Sequence, residues 1–360
     1  MRALVHSHKF VTDNTVPGVL LIGNFLSAHG SSRGVCEDLA LRLQARGWMV
    51  STASSLRPRL LRLLDMCLVA FRARAHYNVV QVDVYSGPAF LWAEVITTVL
   101  RLLRKPYILT LHGGNLPAFA KRWPRRVHRL LASAAAVTTP SRYLLEQMAP
   151  YRADIVLLPN ALDLSLYGPR LADHAMTPHL VWLRAFHRIY NPVLAAQVIV
   201  RLRRDWPDVH LTIVGPDKGD GVLDEFKRFV SDNDLDAHVT RVGGVPKTEV
   251  PTWLRRGDIF LNTTNVDNTP VSVIEAMACG LCVVSTNVGG IPYLLEHEVD
   301  ALLVPPNDPD AMADAVRRIL TEPDLAARLS RNARRKAEQF DWETILPQWE
   351  RLLTEVAQRG

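Results

Sequence analysis

The sequence predicts an α/β protein built from two doubly wound parallel sheets. Short, continuous apolar runs such as GVLLIGNFLS (18–27), PYILTLHGGN (106–115) and DIFLNTT (258–264) recur between segments with helical spacing. Uninterrupted apolar strands belong to parallel sheets covered on both faces. The alternation restarts after an irregular stretch, ALDLSLYGPRLADHAMTP (161–178), which implies a second sheet. At 360 residues the chain is too long for one ordinary domain and suits two. The boundary is placed near Leu171, giving domains 1–171 and 172–340 and a terminal helical segment 341–360.

Composition narrows the class. Hydrophobic residues make up 48% and charged residues 22%, a soluble globular profile. No apolar run reaches the roughly 18 residues a spanning helix needs, and MRALVHSHKF lacks the apolar core of a signal peptide. Four cysteines suit a reducing, cytoplasmic compartment. Cys279 and Cys282 form a CxxC, but at a predicted helix C-terminus, where the dipole does not activate a thiol, so packing is expected. Charge is asymmetric. Residues 1–176 carry 21 Lys+Arg and 10 Asp+Glu, net +11, whereas 177–360 carry 21 and 26, net −5. A basic first half implies an anionic partner there.

In the first half, GVLLIGNFLS is followed by a loop with Gly30 and Gly34 and by the helix VCEDLALRLQARG, the first unit of a Rossmann-like domain. The spacing is not GxGxxG, so no dinucleotide fingerprint is present. WMVSTAS is the second strand. The helical segment LRPRLLRLLDMCLVAFRARAHYN carries Leu60, Leu61, Leu64, Leu68 and Phe71 on one side, with Arg57, Arg59, Arg62, Arg72 and Arg74 on the other side and the ends. It reads either as an interfacial helix for an anionic membrane or as a helix packed on the sheet with a solvated basic face. Its position between two strands favours the second reading. Lys121, Arg122, Arg125, Arg126 and Arg129 form a further basic patch, and aromatic interleaving is too sparse for a nucleic-acid platform. YNVVQVD is the third strand, Gly87 to Leu103 a helix, and PYILTLHGGN the fourth strand. His112, followed by Gly113 and Gly114, stands at the carboxyl end of that strand, where open α/β sheets bind ligands.

In the second half, HLVWLR is a strand ending in Arg184, NPVLAAQVIVRLRRDWP a helix, VHLTIVG and HVTRVGG strands, and VPTWLRRG a helix. DIFLNTT then leads into NVDNTPVSVIEAMACGLCVVSTNVGG (265–290). Thr269 is the expected N-cap and Pro270 the first residue of a helix closed by Gly280. The open N–H groups around Thr269, Pro270, Val271 and Ser272 would face a ligand at a strand end, a position that attracts phosphate. The acidic tract DNDLD (232–236) lacks the glycine and distal Glu of a calcium loop and reads as a solvated helix end. Two helices close the chain, over 324–339 and 341–358, and Pro347 predicts a kink in the last.

The ordered set Asp267, Glu275, Gly280 and Gly289-Gly290 resembles the donor-site signature of glycosyltransferase family 4, retaining enzymes of the GT-B fold. Asp267 stands where that family usually carries a Glu, one methylene longer. The resemblance implies a GT-B architecture: two Rossmann-like domains facing a deep cleft, with the final helix, anchored by Trp342 and Trp349, crossing back to the first domain. It implies transfer of a sugar from a nucleoside-diphosphate sugar, of UDP or GDP type, to an acceptor with retention, without a metal or other cofactor. By position, Glu275 would bond the ribose hydroxyls, Asp267 would approach the donor sugar and His112 would contact it from the first domain. Arg184 and the helix start at 269–272 would hold the diphosphate. The family's Lys five residues after the Arg is Ile189 here, so Arg188 or Lys218 would supply that charge. The Gly30–Gly34 loop would border the acceptor and donor phosphates, and the loop at Gly243 would face the nucleobase.

These readings lead to a retaining glycosyltransferase in cell-surface polysaccharide or glycolipid assembly. Its acceptor would be a saccharide or lipid-linked saccharide, and its location cytoplasmic, peripheral on the inner face of the membrane. A sugar-nucleotide epimerase on the same fold and a non-catalytic scaffold that kept the fold are the alternatives. A nucleic-acid partner is not expected.

Overall fold

The computed structural model describes residues 17–27, 34–168 and 176–359. In the first domain, strands β1 (Val19–Ile22), β2 (Val50–Ala53), β3 (Val79–Val84), β4 (Tyr107–Leu111), β5 (Ala136–Thr139) and β6 (Val156–Leu157) form one parallel sheet in the order β2-β1-β3-β4-β5-β6. Helices α1 (Val35–Ala45), α2 (Arg59–Arg72), α3 (Phe90–Leu102), α4 (Leu116–Arg122), α5 (Pro124–Ala132) and α6 (Arg142–Met148) connect them. Side chains alternate across the sheet. Leu20 and Ile22 join one core with Phe90, Ile96 and Val127, and Val19 and Leu21 join another with Leu39 and Leu43 of α1.

The second domain has β7 (His179–Leu183), β8 (His210–Val214), β9 (Val239–Val242), β10 (Ile259–Asn262), β11 (Cys282–Thr286) and β12 (Leu302–Val304), again all parallel, in the order β12-β11-β10-β7-β8-β9. Counted within the domain this is 6-5-4-1-2-3, the nucleotide-binding order whose switch point lies between the first and fourth strands. Those strands are β7 and β10. Helices α7 (Pro192–Leu202), α8 (Val222–Asp232), α9 (Val250–Leu254), α10 (Val271–Ala278), α11 (Ile291–Leu294), α12 (Pro309–Thr321) and α13 (Pro323–Ala337) cover its two faces.

The final helix, α14 (Trp342–Ala357), runs unbroken through Pro347 and returns to the first domain as expected. Trp342, Ile345, Trp349 and Leu353 complete the core around Val19, Leu21 and Leu43, and Trp48 Nε1 donates to Glu350 at 3.1 Å. Cys279 and Cys282 are buried and not in a disulfide. Leu171 lies outside the described residues. Leu162, Leu164 and Tyr167, which precede it, already pack into the core of the second domain.

The packing of α2 differs from expectation. Leu60, Leu61, Leu64, Leu68 and Phe71 do not face the sheet but point outward, and Arg62, Met66 and Ala70 form the buried side. The reason is the Arg62 guanidinium, which donates to Leu56 O (2.6 Å), Asn24 Oδ1 (2.8 Å) and Arg57 O (2.9 Å) and lies over the Trp92 ring. These three charge-assisted bonds hold the guanidinium inside and so set the rotation of the helix.

Candidate functional site

The carboxyl ends of β7 and β10 bring Arg184 and the loop 263–270 together. The loop is pinned by its own side chains. Thr263 accepts from Trp182 Nε1 at 2.8 Å and donates to Tyr190 O at 2.7 Å, and Thr286 Oγ1 donates to Thr264 O at 2.6 Å. Arg184 Nη2 is ion-paired with Asp267 Oδ2. The other carboxylate oxygen of Asp267 accepts from Asn268 N at 2.8 Å. The Arg184 guanidinium also lies 4.4 Å from the centre of the Tyr190 ring.

The glycine pair is explained by backbone contact with this loop. Gly290 N donates to Asp267 O at 3.0 Å. A Cβ on Gly289 would stand 2.3 Å from Asp267 O and one on Gly290 1.9 Å from Asn268 O, and Gly289 has φ +52°. Only glycine lets β11's exit loop press against the loop that carries Asp267.

Helix α10 begins one residue later than expected. Pro270, with φ −69° and ψ 115°, is the N-cap and its carbonyl accepts from Val273 N at 3.1 Å. Thr269 therefore does not cap; it lines a cavity of about 420 Å³ between the domains, with Ser141, Tyr293 and Phe340. The cause is backbone geometry: proline's fixed φ suits the cap, and its missing N–H leaves the first turn to Val271 and Ser272. Their N–H groups have no intrahelical acceptor. Gly280, φ +74°, closes the helix as expected.

Glu275 is 5% exposed and accepts from the Tyr167 hydroxyl at 3.0 Å. Burial raises its pKa, against the pull of Lys247, the Tyr167 bond and Arg184. Lys247 itself crosses the cleft to Asp38 of α1, at 2.6 Å.

From the first domain, His112 Nε2 lies 3.0 Å from Asp83 Oδ1, and its ring stacks on Tyr85 at 5.1 Å. Asp83 also accepts from Gln81 Nε2 at 2.8 Å. The turn after His112 abuts the loop that carries Asp267, because a Cβ on Gly114 would lie 3.3 Å from the backbone of Asp267. Ser141 Oγ also donates to Asn268 Oδ1 across the interface.

Three buried side-chain atoms around this switch point have no hydrogen-bond partner among the described residues: Arg184 Nε, Asn265 Oδ1 and Ser272 Oγ. Buried polar atoms are almost always paired, so three such atoms at one strand end call for a partner from outside the chain, water or ligand.

The expected site is thus assembled in part. Arg184, Asp267, Val271, Ser272 and Glu275 come together, with His112 opposite. Arg188 is turned away, its guanidinium tied to Glu225 of α8. Lys218 follows β8, the strand next to β7; its ammonium is exposed and makes no ion pair among the described residues. Gly243 follows the edge strand β9 and is exposed, two strands from the switch point. Gly34 is the N-cap of α1, where Glu37 accepts from the N–H of Gly34 (2.9 Å) and of Ser27 (3.0 Å); Gly30 lies outside the described residues. Sequence reading missed Asp83, Tyr167 and Lys247. Asp83 stands at a strand's carboxyl end, the same signal that singled out His112. Tyr167 and Lys247 reach Glu275's surroundings through tertiary structure alone.

The family model described as "Glycosyl transferases group 1" matches residues 176–336, and that described as "Glycosyltransferase Family 4" matches residues 31–166. D-inositol 3-phosphate glycosyltransferase of Pseudarthrobacter chlorophenolicus is 27% identical over 270 residues, 70% of this chain and 63% of that protein, so the match spans less than two thirds of the relative. Among solved structures, sucrose-phosphate synthase from Thermosynechococcus elongatus superposes with a TM-score of 0.76 at 21% identity, over 96% of this chain and 100% of that one. Anabaena HepE in complex with UDP and glucose superposes with a TM-score of 0.73 at 17% identity, over 94% and 99%. Whole-chain likeness to these structures shows the GT-B fold, and the two family models, which divide the chain at its two sheets, show that this chain belongs to the group 1, family 4 glycosyltransferases.

Proposed function

We propose that the protein transfers a sugar from a nucleoside-diphosphate sugar to an acceptor hydroxyl with retention at the anomeric carbon. The observation that carries this is the set of unpartnered buried atoms, Arg184 Nε, Asn265 Oδ1 and Ser272 Oγ, beside the open first turn of α10. A diphosphate satisfies Arg184 Nε and Ser272 Oγ, with the N–H groups as further donors and the helix dipole adding to the attraction, and a hydroxyl of the donor's sugars supplies the proton that Asn265 Oδ1, an acceptor only, requires.

In this reading Arg184 and the N–H groups of Val271 and Ser272 hold the diphosphate and stabilise the negative charge that grows on it as the leaving group departs. Lys218 supplies the second cation where the family's Lys is replaced by Ile189. Asp267, with both oxygens engaged, orients Arg184 and borders the donor sugar. Glu275 accepts from the ribose hydroxyls. His112, with its proton on the nitrogen facing Asp83, keeps Nδ1 as an acceptor for a sugar hydroxyl. The acceptor oxygen bonds to the anomeric carbon on the face the leaving group vacates. The anomeric carbon–phosphate oxygen bond breaks, and the acceptor's proton passes to that phosphate oxygen. No metal or other cofactor enters the scheme, and Gly243 and its loop border the nucleobase.

The basic first domain favours a lipid-linked saccharide acceptor at the cytoplasmic face of an anionic membrane, as in surface-polysaccharide or glycolipid assembly. No described helix is long and apolar enough to cross a membrane, and the contact in this reading is a peripheral one.

The test is a thermal-shift panel with UDP, GDP, ADP, CMP and dTDP, with and without magnesium. A nucleotide at about a hundred times its dissociation constant stabilises the native state by roughly 2.7 kcal/mol. One nucleoside diphosphate should stand out, and its shift should fall in Arg184→Ala. No shift from any of them would overturn the donor-site reading. Conversion of the donor sugar without acceptor would replace the transferase with an epimerase.

A further inference from the structure

Helix α2 presents its apolar side to solvent. Leu60 is 77% exposed, Leu64 64%, Leu61 53% and Phe71 52%. This is not slack packing, because the opposite side is locked by the three hydrogen bonds of Arg62 and by Asp65, which accepts from Ser54 Oγ. Turning the leucines inward would strip a buried guanidinium of its acceptors. Arginines stand at both ends of the stripe, Arg57 and Arg59 before it and Arg72 and Arg74 after it, all exposed. Helix α3, which packs against α2, ends in exposed Leu102 and Arg101. Asp65, bonded to Ser54, is the one carboxylate on α2.

An exposed apolar ridge of this size marks a contact surface. Its rim of cations selects an anionic partner. A second copy is disfavoured, since a two-fold contact along α2 would set the arginines of one end against those of the other. We propose that α2 lies in the interface of an anionic phospholipid bilayer, with Leu60, Leu61, Leu64, Leu68 and Phe71 among the acyl chains and the flanking arginines on lipid phosphates. This deepens the lipid-linked-acceptor reading above, on which its purpose rests. It places the first domain, the acceptor side of the cleft, against the surface where such an acceptor resides.

The test is vesicle flotation of the full chain with phosphatidylcholine alone and with about one third phosphatidylglycerol. The wild type should bind the anionic vesicles at least about tenfold better. The double variant Leu60→Ser, Leu64→Ser should lose about tenfold in binding, given the apolar area withdrawn from the bilayer. Arg57→Gln with Arg72→Gln should erase the preference for anionic lipid. These positions lie outside the nucleotide site, so both variants should keep the nucleotide thermal shift. A kept shift with lost flotation supports the membrane surface independently of the donor reading. Equally poor flotation with both vesicles, or flotation unchanged in the leucine variant, overturns the proposal. So does a wild-type dimer that the leucine variant dissociates, which would assign the ridge to a second copy.

Discussion

Replacing Glu275 by glutamine keeps the side chain's size and its acceptor for the Tyr167 hydroxyl while removing the charge. The carboxyl is buried at 5% exposure and its pKa stands above the ordinary 4.5. Between 4.5 and the raised value, the native protein holds a proton that the unfolded chain has released. Stability must therefore fall as pH rises through that window, by at most about 1.4 kcal/mol per pH unit for one proton. The variant lacks this term, so the stability of Glu275→Gln minus that of wild type should climb with pH by up to that slope and then level off. Urea denaturation of both proteins in steps from about pH 4.5 to pH 8 reads the difference directly. Nucleotide affinity should move the other way, because ribose hydroxyls are bound better by the carboxylate: the variant should bind the selected nucleoside diphosphate about tenfold more weakly, one charged hydrogen bond's worth. A stability difference that is flat or declines with pH would refute the buried, proton-holding carboxyl.

Three other substitutions address other parts of the site. Gly290→Ala drives a Cβ to 1.9 Å from Asn268 O and should cost about 1–3 kcal/mol in urea denaturation, with weaker nucleotide binding because the Asp267 loop moves with it. Lys218→Ala should weaken nucleotide binding several-fold by titration calorimetry while Arg188→Ala does not, since the Arg188 guanidinium is held by Glu225. Asp83→Asn, which loses the carboxylate that orients His112 at 3.0 Å, should lower turnover about tenfold or more with little change in nucleotide affinity; equal loss in both would count against its positioning role.

Much of the molecule was legible because its signals are local. Strand period, helix spacing and the cap at Gly280 depend on residues a few positions apart, and they located the core strands and the helix α10 whose first turn opens onto the site. The motif Asp267 to Gly290 was legible for the same reason: the glycine pair must touch the loop just upstream. Sequence patterning does not separate α4, α5, β5, α6 and β6 between His112 and the linker, because the apolar runs there are short and α4 and α5 are short helices with Pro117 and Pro124 in their first turns.

What the sequence by itself determined is the class of fold, two doubly wound sheets, and the place of the strand end and helix start around Asp267 to Ser272, since both follow from patterning that any folded form of the chain must satisfy. Only the tertiary structure decided which groups face one another. Tyr167 meets Glu275 from 108 residues away, Arg184 meets Asp267 because β7 and β10 are neighbours across the switch point, and Arg188 pairs with Glu225 while Lys218 makes no ion pair among the described residues. The outward turn of α2 was decided in the same way. Helical spacing shows that an apolar stripe exists, but the side that is buried depends on what waits beneath it. Here Leu56 O, Asn24 Oδ1 and Arg57 O hold the Arg62 guanidinium inside, and the leucines are left on the outer side.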